Sequence, residues 1–189
     1  SLRLLGTVGE VINPEAWMWY YKTVGGSRCP IVDTWWQTET GWPMVANGLG
    51  FKTLPIKAGS PTLPVPGFDI VVLNNEGRVL GAHKQGSLAV RLPLPPGCLP
   101  TLWNNDDGFC SAYLREHPGY YTTGDGGYVD EDGYVFVMGR IDDVINVAGH
   151  RLSTGELEQA LASHVAVAEC AVIGVADALK GTVPVGLVV

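Results

Sequence analysis

Charge is what this sequence has least of. Asp, Glu, Lys and Arg make up 16% of its 189 residues, against about a quarter in an average globular protein. A surface so poor in charge is expected to meet other protein over much of its area. Basic residues are the scarcer sign, with 12 Lys and Arg against 19 Asp and Glu and a net charge of −7. That balance excludes a nucleic-acid platform, which needs clustered cations to displace counterions. A small anion can still be held by local Arg and backbone N–H groups. No apolar run approaches the roughly 18 residues of a membrane span, so no membrane partner is expected. There is no leader-like segment and no initiating Met: the first residues, Ser1 to Leu5, read as the end of a strand. The chain also stops inside the apolar run Pro184 to Val189. Both ends lead to the expectation that these residues are a piece of a longer chain. Cys29, Cys98, Cys110 and Cys170 form no C-x-x-C pair, and His83, His117, His150 and His164 are equally scattered. Without clustered ligands no zinc site is expected, and the cysteines read as buried reduced thiols.

What is present falls into three textures. In the first, Asn13-Pro14-Glu15 has the form of a helix start, with Asn as N-cap, Pro at N1 and an acid in the first turn. Trp17, Tyr20, Tyr21 and Val24 follow at helical spacing, and Gly25-Gly26 ends the run. Pro30-Ile31-Val32 reads as a short buried strand, making an α/β unit whose ligands would gather beyond the strand ends. From Phe51 to Val137, Pro and Gly punctuate short β-type runs at Phe68 to Leu73, Ser87 to Leu92, Tyr120 to Thr123 and Tyr134 to Val137. Asn74 to Gly77 and Asp130 to Gly133 have the composition of hairpin turns. This stretch is expected to be a small, mostly antiparallel β subdomain. After Gly139-Arg140 a third texture begins. Ser153-x-x-Glu156 is a capping box, Leu157, Ala160 and Leu161 give the helix an apolar face, and strands are expected at Cys170 to Val175 and Pro184 to Val189. The fold class is therefore α/β with mixed α+β character. Its expected division is residues 1–141, containing the β subdomain at about 51–138, and residues 142–189.

Three clusters carry groups suited to chemistry. Asp33-Thr34-Trp35-Trp36-Gln37-Thr38-Glu39-Thr40-Gly41 is dense in hydroxyls, with a carboxylate and two indoles after a buried strand. Hydroxyls suit phosphate oxygens, a carboxylate suits Mg²⁺ on a nucleotide, and Trp suits the wall of an apolar pocket. By composition alone the default is an exposed β loop whose tryptophans belong to the core. Tyr121-Thr122-Thr123-Gly124-Asp125-Gly126 sets an Asp on a Gly-flanked turn, able to accept hydrogen bonds from a ribose diol; a plain turn Asp is the alternative. The stretch from Gly139 to Arg151 frames a charged bend, with Arg140 and Arg151 able to pair bidentately with phosphate. There the alternative is a solvated ion pair between Arg140 and Asp142 or Asp143, worth less than about 1 kcal/mol.

In this order and spacing the clusters resemble the adenylate-forming superfamily, the acyl-CoA synthetases and their relatives. The W-W-Q-T-E-T-G wording is similar to its short-chain acetate/propionate branch. Arg91-Leu92-Pro93-Leu94-Pro95-Pro96-Gly97, Val144 to Arg151 and Ala178-Leu179-Lys180-Gly181 resemble propionate–CoA ligases within it. The resemblance covers essentially the whole chain. It implies the end of a large AMP-binding domain, a hinge, and a truncated C-terminal domain. The implied activity is ligation of propionate or another short-chain acid to coenzyme A, with ATP cleaved to AMP and pyrophosphate through an acyl-adenylate. Acetate is the alternative substrate, and a non-catalytic nucleotide-binding remnant the alternative of another class. The implied compartment is the cytoplasm, or the mitochondrial matrix.

The same resemblance assigns residues. Gly9, Glu10 and Val11 would lie against adenine, Val11 standing where the family has Pro. Asp33, Thr34, Trp35, Trp36, Gln37 and Thr38 would line the nucleotide site, with Thr38 near the α-phosphate and Glu39 on Mg²⁺. Trp36 would end the acyl pocket, where steric exclusion outdoes the ~1–3 kcal/mol that one methylene supplies by attraction. Asp125 would take the ribose hydroxyls with Arg140 beside it, and Arg151 would reach the phosphates. Asp142 would be the hinge. Ala148 stands where acetate-type members carry Ser near CoA. His164 with the backbone at Ala162 and Val167 would hold a structural metal; read from the residues alone, His164 serves equally as a helix C-terminal residue favoured by the macrodipole. The family's phosphate loop and adenylation lysine fall outside these residues, Lys180 being in the wrong motif, so the chain by itself is expected to be inactive.

Overall fold

The computed structural model describes residues 2–48, 50, 54–55, 57–141, 144–147 and 150–189. The chain divides into two compact units, residues 1–137 and 138–189.

In the first unit, strand β1 (Leu5–Val8) runs parallel to β2 (Ile31–Trp35), with Leu5 opposite Ile31 and Val8 opposite Thr34. Leu2 to Leu4 lie ahead of this strand, which begins at Leu5 where the sequence suggested that one ends. Helix α1 (Pro14–Trp19) connects the two strands and continues as a π-helical turn over Tyr20–Val24. Asn13 caps it, its Oδ1 accepting the Ala16 N–H at 2.7 Å. Trp17 from this helix packs with Leu5, Cys29 and Ile31 in a small core. Strand β3 (Val45–Ala46) closes the sheet antiparallel to β2. Strand β2 runs three residues past Val32, so Asp33, Thr34 and Trp35 are strand, and the loop begins only at Trp36.

The expected β subdomain is a four-stranded antiparallel sheet in the order β4-β5-β6-β7, formed by Ile70–Leu73, Gly86–Arg91, Tyr120–Val129 and Val135–Arg140. Asp130 to Gly133 is the hairpin turn between β6 and β7: Asp130 Oδ1 accepts the N–H groups of Asp132 and Tyr134. Asn74 to Gly77 also turns the chain, with Gly77 N–H donating to Asn74 O at 3.0 Å. The return it makes is short: Leu73 meets Val79 in an isolated antiparallel bridge and Leu80 N–H donates to Val72 O at 2.8 Å, while β5 starts only at Gly86. Met44, Val45, Phe68, Ile70, Val72, Leu88, Val90, Tyr121 and Val135 form the main core, together with Trp35. A helix the sequence reading did not anticipate, α2 (Asp106–Tyr113), precedes β6.

The second unit holds a sheet in the order β10-β11-β8-β9, from β8 (Val144–Val147), β9 (His150–Ser153), β10 (Cys170–Asp177) and β11 (Gly181–Val188). Helix α3 (Thr154–Ala162) starts at the anticipated cap, Ser153. The expected charged bend between Arg140 and Arg151 is instead largely the antiparallel pair β8–β9. Val144, Ile145 and Val147 supply β-branched residues that outweigh the flanking charges. Strands β10 and β11 are a hairpin with Cys170 opposite Val188, and Lys180 sits in its turn. Among the described residues no helix is long and apolar enough to cross a membrane.

Candidate nucleotide site

Parallel pairing sets the C-terminal ends of β1 and β2 side by side, since Val8 faces Thr34. The loops leaving them, Gly9 to Val11 and Trp36 to Thr38, thus emerge from the same edge of the sheet, where open α/β sheets take their ligands. Gly9 turns the chain there with φ of 101°. Gly9, Glu10 and Val11, with Thr7 and Val8, line an open groove ahead of α1.

The second loop is locked by local bonds. A short 3₁₀ turn, Thr38–Thr40, follows Gln37, whose N–H donates to the buried Thr40 Oγ1 at 3.1 Å. Gly41 ends the turn with φ of 61°, and a Cβ there would come within 2.8 Å of Gly97 O. The two indoles part company. Trp35 is buried in the main core, while Trp36 is 46% exposed beyond the strand end. The core reading thus holds for one of them, and the other is available to a ligand.

Asp125 arrives from β6 by a bulge. Ser87 pairs with Gly126 and Ala89 with Thr122, so Leu88 alone faces Thr123, Gly124 and Asp125. Thr123 Oγ1 donates to Leu88 O at 2.6 Å and accepts the Asp125 N–H at 3.1 Å. Gly124 takes φ of 73°, a left-handed backbone that favours Gly. Each letter of the T-G-D run thereby has a reason: the hydroxyl staples the bulge, the glycine bends it, and the acid is re-aimed.

The bulge and the loop meet at that acid. Trp35 Nε1 donates to Asp125 Oδ2 at 3.0 Å and Gln37 Nε2 donates to the same oxygen at 2.9 Å. Gln37 Nε2 also donates to Thr123 O at 2.7 Å, and its Oε1 accepts from Tyr121 Oη at 2.9 Å. Tyr113 on α2 stacks on Tyr121, with ring centroids 5.4 Å apart, and donates its hydroxyl to Glu39 Oε1 at 2.8 Å. Sequence reasoning missed Tyr113 and Tyr121 as supports of this site. Their signal was available in α2, where Asn105-Asp106-Asp107 is a helix start and Phe109 and Tyr113 share a face.

Asp33 is a buried acid within β2. Only 8% exposed, its carboxyl is pushed up to about 6 by burial, against which the Thr34 N–H works. Burial also raises the Tyr121 phenol, with the Glu39 charge adding to it. Asp33 is the central residue of β2, opposite Thr7 of β1.

The remaining assignments fall in the second unit. Arg140 ends β7 and is exposed. Asp142 and Ala148 lie outside the described residues, and Arg151 is placed by its backbone in β9. His164 Nδ1 accepts the Ala166 N–H at 3.2 Å and His164 O accepts the Val167 N–H at 3.0 Å, so residue, ring and carbonyl tighten the turn after α3. Among the described residues no group of three His, Cys, Asp or Glu is placed to hold a metal ion.

Comparison with known proteins gives this arrangement a family. Residues 1–95 match the family described as AMP-binding enzyme, and residues 156–189 match the AMP-binding enzyme C-terminal domain. The chain belongs to the AMP-binding enzyme family. All 189 residues align at 56% identity with an uncharacterized protein of Pseudomonas aeruginosa, covering 30% of it. The whole chain is also 52% identical to an acetyl-coenzyme A synthetase of Chlorobaculum tepidum and 51% identical to one of Nitrosomonas europaea, covering 28% and 29% of them. The chain therefore spans less than a third of the length of these relatives.

Proposed function

We propose that the native polypeptide carrying this chain is an AMP-forming short-chain acid–CoA ligase, with acetate its first substrate. The observation that carries the reading is the convergence of the D-T-W-W-Q-T loop and the T-G-D bulge on one buried acid, Asp125. The names of the Chlorobaculum and Nitrosomonas relatives support acetate over the propionate that the sequence alone favoured. Propionate is kept as the second reading on the R-L-P-L-P-P-G stretch and on Ala148.

In this reading Gly9, Glu10 and Val11 bound the adenine, Asp125 holds the ribose hydroxyls, and Asp33, Thr34 and Thr38 face the nucleotide. Arg140 stands beside Asp125 at the ribose, Arg151 reaches the phosphates, Asp142 is the hinge, and Ala148 lies near CoA. Mg²⁺ fits Glu39, a half-buried carboxylate with one oxygen steadied by Tyr113, because Mg²⁺ on nucleotides takes one or two carboxylates plus phosphate oxygens. Bound there it would neutralise phosphate charge. A structural metal at His164 with the carbonyls of Ala162 and Val167 would use Nε2, since Nδ1 is engaged by Ala166. In the first half-reaction a carboxylate oxygen of the acid bonds to the α-phosphorus of ATP and pyrophosphate leaves. In the second, the CoA thiolate bonds to the acyl carbon and AMP leaves. The protein's share of both is positioning and charge stabilisation.

The test is turnover by the purified native polypeptide with ATP, CoA and acetate, propionate or butyrate. AMP and pyrophosphate should form, with kcat/KM for butyrate roughly 100-fold or more below the better short acid, because Trp36 excludes by bulk. Acid-dependent ADP formation, or no acid-dependent turnover, would sink the ligase reading. A ranking of propionate above acetate would restore the second substrate.

A further inference from the structure

Trp35, the last residue of β2, and Gln37 in the loop after it hold the site's acid with all the polar capacity their side chains show. Trp35 lies in the main core with Met44, Val45 and Tyr121, and its one N–H ends on Asp125 Oδ2. Gln37 gives both amide hydrogens to β6, one to Thr123 O and one to Asp125 Oδ2, while its carbonyl oxygen receives Tyr121 Oη. An amide so engaged on three sides has little left for a phosphate. Two donors converging on one oxygen fix the plane in which a carboxylate lies, and a diol reads a carboxylate by that plane. The bulge at Thr123 to Asp125 fixes the acid's backbone in turn. We propose that Trp35 and Gln37 are positioning residues that aim Asp125 at the ribose hydroxyls, rather than contacts to the nucleotide.

This rests on the ligase reading above, and the experiment separates the two. Binding of ATP and of 2′,3′-dideoxy-ATP to the native polypeptide is measured by calorimetry for wild type, Trp35→Phe and Gln37→Met. Hydrogen bonds from a diol to a carboxylate should make wild type prefer ATP by roughly 10- to 100-fold. Each variant should lose about 5-fold or more of that preference while its affinity for the dideoxy nucleotide stays within about twofold of wild type, since the lost donors act only through Asp125. A residue that merely supports the fold would weaken both nucleotides equally, and that result would overturn the inference alone. A preference is a ratio within the folded population, so partial unfolding of Trp35→Phe leaves it readable, and Gln37→Met, at a half-buried site, reads it again. Wild type that binds ATP without preferring it to the dideoxy form overturns the inference and the ribose role of Asp125; wild type that binds neither overturns the ligase reading as well.

Discussion

At Asp33 the fold keeps a carboxylate largely buried, with little access to water. Its pKa moves from 3.8 to about 6 because burial outweighs the single Thr34 N–H. Between those values the folded state binds more protons than the unfolded one, so stability falls as pH rises through that window. Below about pH 4 the group is neutral in both states and nothing is lost; above about pH 6 the whole penalty, about 2–3 kcal/mol, persists. Asn in its place keeps an oxygen for the Thr34 N–H and carries no charge. Asp33→Asn is therefore expected to stabilise the first unit by about 1–3 kcal/mol at pH 7 and to flatten the pH dependence between 4 and 6, read by urea unfolding at a series of pH values. Equal stability of the two proteins at pH 7 would mean that the carboxylate is solvated. Asp33 is the central residue of β2, and a costly acid kept inside a strand is the kind of local conflict found where a chain trades stability for another role.

Elements differ in how far the sequence announces them. Helix α1 was legible because Asn13-Pro14-Glu15 is a start signal with one reading, and α3 because Ser153 is an N-cap, its Oγ accepting the Glu156 N–H. Helix α2 carries as good a signal, Asn105 followed by two acids, but it sits among Pro and Gly residues whose β texture hides an eight-residue helix. The cap is real: Asn105 Oδ1 accepts the Gly108 N–H at 3.0 Å, shorter than the 3.4 Å of Ser153 with Glu156. Asn105→Ala should thus cost about 1 kcal/mol and Ser153→Ala about half of that or less, each measured by chemical denaturation followed in the unit that contains it. A reversed order would show that α2 is held by its packing and not by its cap. Strands β8 and β9 were misread as a bend because their flanking charges drew attention from Val144, Ile145 and Val147. The site's residues were legible as motifs; their joining was not. Nothing local in the sequence says that Trp35 and Asp125, ninety positions apart, share a hydrogen bond, since that follows from the bulge in β6 and the register of β5.

For the whole molecule the two units are unequal in what they bury. Residues 1–137 enclose three apolar clusters built from every strand of two sheets. In residues 138–189 the buried apolar side chains, among the described residues, are Ile145 and Val172, while Ile173, Val175, Val185, Leu187 and Val188 of the β10–β11 hairpin stay exposed. Few apolar side chains of these described residues are buried, so little apolar cover shields their backbone. The hairpin pairs over eight positions, yet backbone bonds shielded by so little apolar cover open locally. Native-state hydrogen exchange in low urea should resolve two cooperative sets of amides. Those of β10 and β11 are expected to open about 2–3 kcal/mol more easily than those of β4, β5 and β6. Exchange in which both sets merge at one free energy would show that the strands of residues 138–189 do not open as a separate cooperative set.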